Sequence, residues 1–219
     1  MNLVITDYNS SDAVVKNDCT REWRELEKVL KACRLYLKAS DQARKQGSPI
    51  FDPVATNEYI RNRLRDDHGW ATNIPISGEY AFLGTDIDAG KNGVMVEVQF
   101  SNYPFLLNNM PRAELFFQGK FQVGGRATAL AIIATKGGMF PASNSTLYYE
   151  QAKKQLDALA KNKVFRVPLR LIGLESPREK NVPAVWTGYE ARYSRDTSKQ
   201  KEIRCDISGT GGRCRIVVR

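Results

Sequence analysis

The stretch "GTDIDAGKNGVMVEVQF", residues 84–100, constrains the fold most because it combines a period-two hydrophobic alternation with acidic side chains. Successive side chains of a β-strand point to opposite faces of the sheet. One face is expected to carry four apolar side chains, those of Val94, Val96, Val98 and Phe100. Met95, Glu97 and Gln99 are expected on the other face, so the carboxylate and the amide are neighbours.

Two polar groups on an otherwise apolar strand need an explanation, because burial without partners is costly. A sheet with one solvated face explains Glu97 and Gln99 without any function. Asp86 and Asp88 on the preceding strand favour a second explanation, since clustered carboxylates are the hard oxygen ligands that Mg²⁺ prefers. The residues alone leave open which of the two aspartates is the ligand.

The expected hairpin geometry does not by itself bring these acids together. A hairpin that closes over "AGKNG", residues 89–93, would pair Asp88 with Gly93 or Val94. Glu97 would then lie about 13 Å further along the ladder, at ~3.3 Å per residue. We therefore expect a bend between the two acidic residues.

The rest of the chain predicts helices interleaved with strands. Apolar residues at helical spacing predict helices over residues 21–37, 52–69 and 145–161. Residues 128–135 and 164–174 are expected to be strands, the second near a sheet edge because it contains Pro168. The mixture indicates an α/β chain, more closely described as an α+β mixed sheet flanked by helices.

Composition and charge bound the kind of partner. The net charge is +9, and +5 of it falls within residues 176–219, which are rich in Gly, Ser and charged residues. The length of the chain, 219 residues, suits one large domain, residues 1–175, with a small appended lobe. The uneven charge predicts that this C-terminal lobe or tail is basic and faces a polyanion. The start of the chain does not resemble a signal peptide and no apolar run is long enough to cross a membrane, so we expect a cytoplasmic protein.

The spacing of Asp88, Glu97 and Gln99, with the last two on one strand, is a loose variant of the PD-(D/E)xK nuclease motif. The wider sequence, from about residue 4 to about residue 195, resembles the type II restriction endonucleases of that superfamily more specifically. The resemblance is weak over residues 117–127 and is carried by the stretches "LKASDQARKQGSPIFDPVATNEYI", "LGTDIDAGK", "VEVQFSNYPFLLNN", "MFPASNSTLYYEQA" and "RYSR". Ile87 in place of the motif's proline and Gln99 in place of its lysine are departures that also occur among these enzymes.

The resemblance implies an enzyme that hydrolyses double-stranded DNA with Mg²⁺ and without a covalent intermediate. Asp88 and Glu97 are then expected to bind one metal ion together with the carbonyl of Val98, with Gln99 in the place of the usual lysine. Asn73 matches a position that helps to hold the attacking water. The enzyme is expected to be a homodimer that cuts a palindromic site with a GATC core, AGATCT-like, and leaves 5′ overhangs. A cognate DNA methyltransferase would protect the host.

Three short segments are expected to contact DNA. Residues 144–146 are predicted to begin a helix, where Asn144 and Ser145 either cap the helix or contact bases in a groove. Ser101 and Asn102 directly follow the acidic strand and are a second candidate loop. The third segment, in the basic C-terminal part, carries Tyr193 and Arg195.

Two further functions remain open from the sequence. One is a sequence-specific DNA-binding protein in which the carboxylates are inert. The other is a structure-directed nuclease, such as a junction resolvase built on the same core.

Overall fold

A computed structural model describes residues 1–76, 78–100, 104–143, 146–191, 194, 197–209 and 212–219, without the side chain of residue 105. Five α-helices lie within these ranges: α1 Ser11–Asn17, α2 Thr20–Ala32, α3 Pro53–His68, α4 Phe105–Gln118 and α5 Tyr149–Lys161. Among the helices of this part of the chain, none combines the length and the apolar character that a bilayer crossing requires.

Thirteen strands alternate with the helices in the described ranges. The strands of the first half are β1 Asn2–Tyr8, β2 Leu35–Ala39, β3 Pro49–Phe51, β4 Ala71–Pro75, β5 Asp86–Lys91 and β6 Val94–Val98. Those of the second half are β7 Gln122–Val123, β8 Arg126–Ala127, β9 Leu130–Lys136, β10 Leu169–Glu175, β11 Val182–Gly188, β12 Lys199–Ser208 and β13 Arg215–Val218.

The larger of two main sheets has six strands in the order β1-β10-β9-β6-β5-β4. Its three central strands, β10, β9 and β6, run parallel, and the outer pairings are antiparallel. The smaller sheet has five strands in the order β13-β12-β11-β2-β3. This mixed architecture confirms the predicted fold class.

Apolar side chains pack on both faces of the larger sheet. Val94, Val96 and Val98 contribute to a core cluster that includes side chains of α2 and α3. Met95 contributes to a second cluster, which includes side chains of α4 and α5. The predicted alternation of β6 is therefore confirmed, and both faces of the acidic strand are covered by helices, so the solvated-face explanation of Glu97 is wrong.

The predicted helix over residues 21–37 is too long. Helix α2 ends at Ala32, because Cys33 adopts an extended conformation with φ −61° and ψ 127°. Leu37, which has helical spacing with the residues before it, lies instead in β2 and is fully buried. The helical spacing of apolar residues continues by chance into β2, where Leu35, Tyr36 and Leu37 are also buried.

The predicted position of Pro168 near a sheet edge is also wrong. Strand β10 begins after it, at Leu169, and lies between β1 and β9. Proline is tolerated there because residue 168 precedes the strand, so its missing N–H removes no hydrogen bond from the sheet. The carbonyl of Pro168 accepts a hydrogen bond from the N–H of Ala131.

The C-terminal part of the chain is more regular than its composition suggests. Residues 176–219 contain three strands, and β11 pairs in parallel with β2. The smaller sheet therefore combines strands from both sides of residue 175. A DNA-contacting role for this part stays a prediction.

Candidate active site

The two acidic strands β5 and β6 form a tight hairpin. Asn92 and Gly93 make its turn with φ values of 48° and 83°, the left-handed geometry of a two-residue turn. Because Ala89 pairs with Val96, the same register places Asp88 level with Glu97. The expected offset of about 13 Å is wrong, since the turn has two residues rather than the five of "AGKNG".

Asp88 is held against the backbone of β6. Its Oδ2 accepts a hydrogen bond of 2.7 Å from the N–H of Val98. Burial raises the pKa of Asp88, and the Val98 N–H opposes that shift. The structure thus brings Asp88, Glu97 and Val98 together. These are the residues that the family resemblance implies as metal ligands, and that role stays a prediction.

Asn73 lies on the neighbouring strand at the same level. On β4, Thr72 pairs with Ala89 and Ile74 pairs with Ile87, which leaves Asn73 across from Asp88. Asn73 has φ 49°, a left-handed conformation that asparagine adopts more readily than most residues. Three adjacent strands therefore bring Asn73, Asp88 and Glu97 to one level of the sheet.

Helix α4 supplies a residue that the sequence analysis missed. Arg112 donates from Nη2 to Glu97 Oε1 over 2.5 Å and from Nη1 to the carbonyl of Asp86 over 3.3 Å. Arg112 and Glu97 are 8% and 6% exposed, so this ion pair is largely shielded from water. The available signal was a lone cation within the apolar stretch "NNMPRAELFF".

Glu97 resists ionisation in spite of this partner. Burial raises the pKa of Glu97 to about 8, the Arg112 guanidinium opposes the shift, and the charges of Asp88 and Asp86 add to it. Negative charge at the site is therefore only partly compensated by the protein.

A hydrogen-bonded chain connects Glu97 to Gln99. Arg112 Nη2 also donates to Asn109 Oδ1 over 3.1 Å, and Asn109 Nδ2 donates to Gln99 Oε1 over 3.3 Å. Arg112 thereby orients Glu97 of β6, and Asn109 orients Gln99, which directly follows that strand. The amide of Gln99 cannot titrate, so it can orient a ligand but cannot act as a general base.

The donor set fits a hard divalent cation. Two carboxylates with raised pKa values lie side by side, and a cation would stabilise their ionised forms. Among the described residues, no three Asp, Glu, His or Cys side chains form a metal cluster. A site with two carboxylates suits Mg²⁺, which keeps several of its waters when it binds to proteins.

The six side chains predicted to contact DNA lie outside the described residues. They are Asn144, Ser145, Ser101, Asn102, Tyr193 and Arg195. The predicted helix begins later than expected: α5 begins at Tyr149, and Tyr148 still forms a parallel bridge with Lys136, so Thr146 is not part of the helix. Thr146 does not cap a helix, and its hydroxyl donates to the carbonyl of Phe100 over 2.7 Å.

Comparison with solved structures identifies the mixed sheet, with its two level carboxylates on an antiparallel hairpin, as a restriction-endonuclease fold. The model of the restriction endonuclease BglII/BglIII family matches residues 3–174. The chain is 50% identical over 211 residues to the type II restriction enzyme BglII of Bacillus subtilis, covering 96% of this chain and 93% of that enzyme. The chain therefore belongs to the BglII/BglIII family of restriction endonucleases and is a type II nuclease.

Two solved structures are similar over their whole length and over the whole of this chain. The crystal structure of BglII complexed with a DNA 16-mer has a TM-score of 0.93 and 49% identity. The crystal structure of free BglII has a TM-score of 0.78 and 46% identity. The backbone is thus more similar to the DNA-bound relative than to the free one.

Proposed function

We propose that this chain is a Mg²⁺-dependent homodimeric endonuclease that cuts double-stranded DNA at a palindromic site with a GATC core, AGATCT-like, and leaves 5′ overhangs. The observation that carries the proposal is that the register of the β5–β6 hairpin, extended one residue beyond the Ala89–Val96 pair, places Asp88 level with Glu97. The high similarity to an enzyme solved with DNA supports the substrate class.

Different residues of the chain are proposed to bind the metal, to hold the attacking water and to position the phosphate. Asp88, Glu97 and the carbonyl of Val98 would hold one Mg²⁺, with Asp88 fixed by its hydrogen bond from Val98. Bound Mg²⁺ neutralises charge that develops on the phosphate and lowers the pKa of a nearby water. Asn73 holds the attacking water in line. Gln99, oriented by Asn109, positions the water or the phosphate without accepting a proton.

The assembly follows from the symmetry of the substrate. A palindrome presents two identical half-sites related by a two-fold axis, so a symmetric dimer places one active site on each strand. Residues 176–219 are proposed as a basic DNA-contacting lobe, because they carry +5 of the net charge of +9. Such an enzyme acts in the cytoplasm, beside a methyltransferase that protects host DNA.

A digest of sequenced plasmid DNA with Mg²⁺, followed by mapping of the ends, tests the proposal. We expect cuts at one palindromic site with a GATC core, 5′ overhangs, and no cutting in the presence of a chelator or by a Glu97→Ala variant. Binding without cutting would indicate an inert DNA-binding protein. Cutting of branched DNA regardless of sequence would indicate a structure-directed nuclease.

Sedimentation of the protein on a short duplex that contains the mapped site tests the dimer. Two chains per duplex are expected. Only one chain per duplex would reject the homodimer.

A further inference from the structure

A buried lysine lies next to the active site without taking part in it. Lys136 ends β9, the strand that pairs with β6, and is 1% exposed. Its Nζ lies 5.5, 5.9 and 5.2 Å from the ring centroids of Phe51, Phe100 and Tyr148. Within the described residues, no carboxylate is paired with it, and burial lowers the pKa of Lys136 to about 7.

Three oxygen atoms surround the amine. Nζ donates to the carbonyl of Phe100, to Thr146 Oγ1 over 2.5 Å and to the carbonyl of Leu147 over 3.3 Å. Thr146 in turn donates to the carbonyl of Phe100 over 2.7 Å. Lys136, Phe100 and Thr146 thus form a closed triangle of hydrogen bonds, which we call the Lys136 anchor.

The anchor joins two places in the chain that are far apart in sequence. Phe100 lies three residues after Glu97 and directly before Ser101. Thr146 directly follows Ser145. The anchor therefore fixes the exit of the catalytic strand to the chain that follows residues 144–145.

We infer that Lys136 is a positioning residue that fixes Phe100 and Thr146 relative to each other at the end of the catalytic strand. These two residues directly adjoin residues 101–102 and 144–145, which are proposed to contact bases. The inference rests on the proposed function, in which these segments recognise the site. Consecutive Cα atoms are about 3.8 Å apart, so a shift at the anchor passes directly to the adjoining segment. Base recognition tolerates displacements of only about 0.5 Å, so discrimination between sequences depends on the anchor more than overall binding does.

Four variants of the full-length enzyme separate this role from ordinary packing. Lys136→Met keeps an unbranched apolar side chain among the three rings but removes the three hydrogen bonds. Thr146→Val keeps the shape of the side chain and removes its hydroxyl, whereas Thr146→Ser restores the hydroxyl. Arg170→Met is the matched control, because Arg170 is also a buried cation of the same sheet, with Asp7 and Trp23 as its partners.

The measurement is the ratio of single-turnover cleavage rates on the cognate duplex and on duplexes with one substituted base pair. A second ratio, independent of cleavage, is the dissociation constant of the substituted duplex divided by that of the cognate duplex, both measured without divalent metal. We expect Lys136→Met and Thr146→Val to lower both ratios by about tenfold or more. Thr146→Ser and Arg170→Met are expected to stay within about twofold of the parent.

The outcomes distinguish the inference from the proposed function. If folded Lys136→Met and Thr146→Val retain the parent's ratios, the anchor has only a packing role and the inference is wrong, while the proposed function stands. If the parent itself does not discriminate between the duplexes, the proposed function fails and the inference fails with it. Thermal melting establishes which variants are folded, and Thr146→Val decides the matter if Lys136→Met does not fold.

Discussion

Asp88 Oδ2 accepts a 2.7 Å hydrogen bond from the backbone N–H of Val98, one residue beyond Glu97. This bond ties the first acidic strand to the second at the level where the two carboxylates meet. Asp86 is placed differently, because its carboxylate accepts from Thr85 over 3.0 Å and its carbonyl accepts from Arg112. The contacts therefore favour Asp88 over Asp86 as the metal-binding aspartate, an assignment that stays a prediction.

Asp88→Ala is expected to lower the cleavage rate by at least about 10²-fold, because it would remove one of the two carboxylates proposed to hold the Mg²⁺ that stabilises charge in the transition state. Asp86→Asn is the matched control and is expected to be much milder. Single-turnover cleavage of a cognate duplex measures both, and circular dichroism confirms the fold. Cleavage by Asp88→Ala within about tenfold of the parent would show that the other aspartate is the ligand.

At pH 9, above the Glu97 pKa of about 8, Arg112→Met is expected to destabilise the metal-free protein by about 3 kcal/mol, because it leaves the ionised, buried carboxylate of Glu97 without its partner. Glu97→Gln in the same protein should recover part of that loss, since a neutral amide does not need a cation. Urea unfolding of the parent, both single variants and the double variant gives the coupling energy. Strictly additive effects would mean that the ion pair contributes nothing.

The stability of the protein is expected to depend on pH through Lys136. Its folded-state pKa of about 7 lies below the ordinary value of 10.5, so between these limits unfolding takes up a proton. The free energy of unfolding therefore rises with pH across that window. Lys136→Met lacks this effect, so the parent should gain stability relative to the variant from pH 7 to pH 10 in urea unfolding. A constant difference would show that the surrounding oxygens and rings keep the lysine charged.

The acids of the site were predictable from sequence because a strand's alternation is a local property. Glu97 and Gln99 were predicted to lie on the same side of the chain. That prediction is confirmed, because Glu97 of β6 and Gln99 just after it both contact helix α4. The distance between Asp88 and Glu97 was predicted wrongly, because it depends on the length of the turn. The pair "NG" within "AGKNG" was the signal for a two-residue turn.

Arg112 and Lys136 were not predictable in the same way. Arg112 lies 15 residues from its partner Glu97, and Lys136 lies 36 residues from its partner Phe100. These contacts therefore form only when α4 and β9 pack against β6. Helix boundaries failed for a related reason. Residues 33–37 have helical spacing, but pairing with β11 makes the last three of them a strand.

Asp52 is expected to be important for stability because its carboxylate both caps helix α3 and accepts hydrogen bonds from two hydroxyls at the end of β11. It caps α3 by accepting from Val54 N over 3.0 Å, and it accepts from Tyr189 Oη over 2.5 Å and from Thr187 Oγ1. Asp52→Ala should cost about 3 kcal/mol of unfolding free energy, the sum of a lost cap and unsatisfied buried hydroxyls. Tyr189→Phe should cost about 1 kcal/mol.

Urea unfolding measures these losses, with exposed Asp41→Ala as the control that removes a carboxylate without such partners. An Asp52→Ala variant as stable as Asp41→Ala would show that solvent replaces the buried contacts.

The proposed base contacts and phosphate contacts should respond differently to substitution. An amide can donate and accept across a purine edge, so Asn144→Ala should lose about 1–3 kcal/mol of discrimination at one inner position of the GATC core. Arg195→Ala, in the basic C-terminal part, should instead weaken binding to all sequences and flatten the salt dependence, because a phosphate contact releases counterions whatever the base. Dissociation constants for cognate and singly substituted duplexes at several salt concentrations measure both effects. If Asn144→Ala weakened every duplex equally, that residue would contact phosphate, and the base contacts would have to come from Ser101 and Asn102.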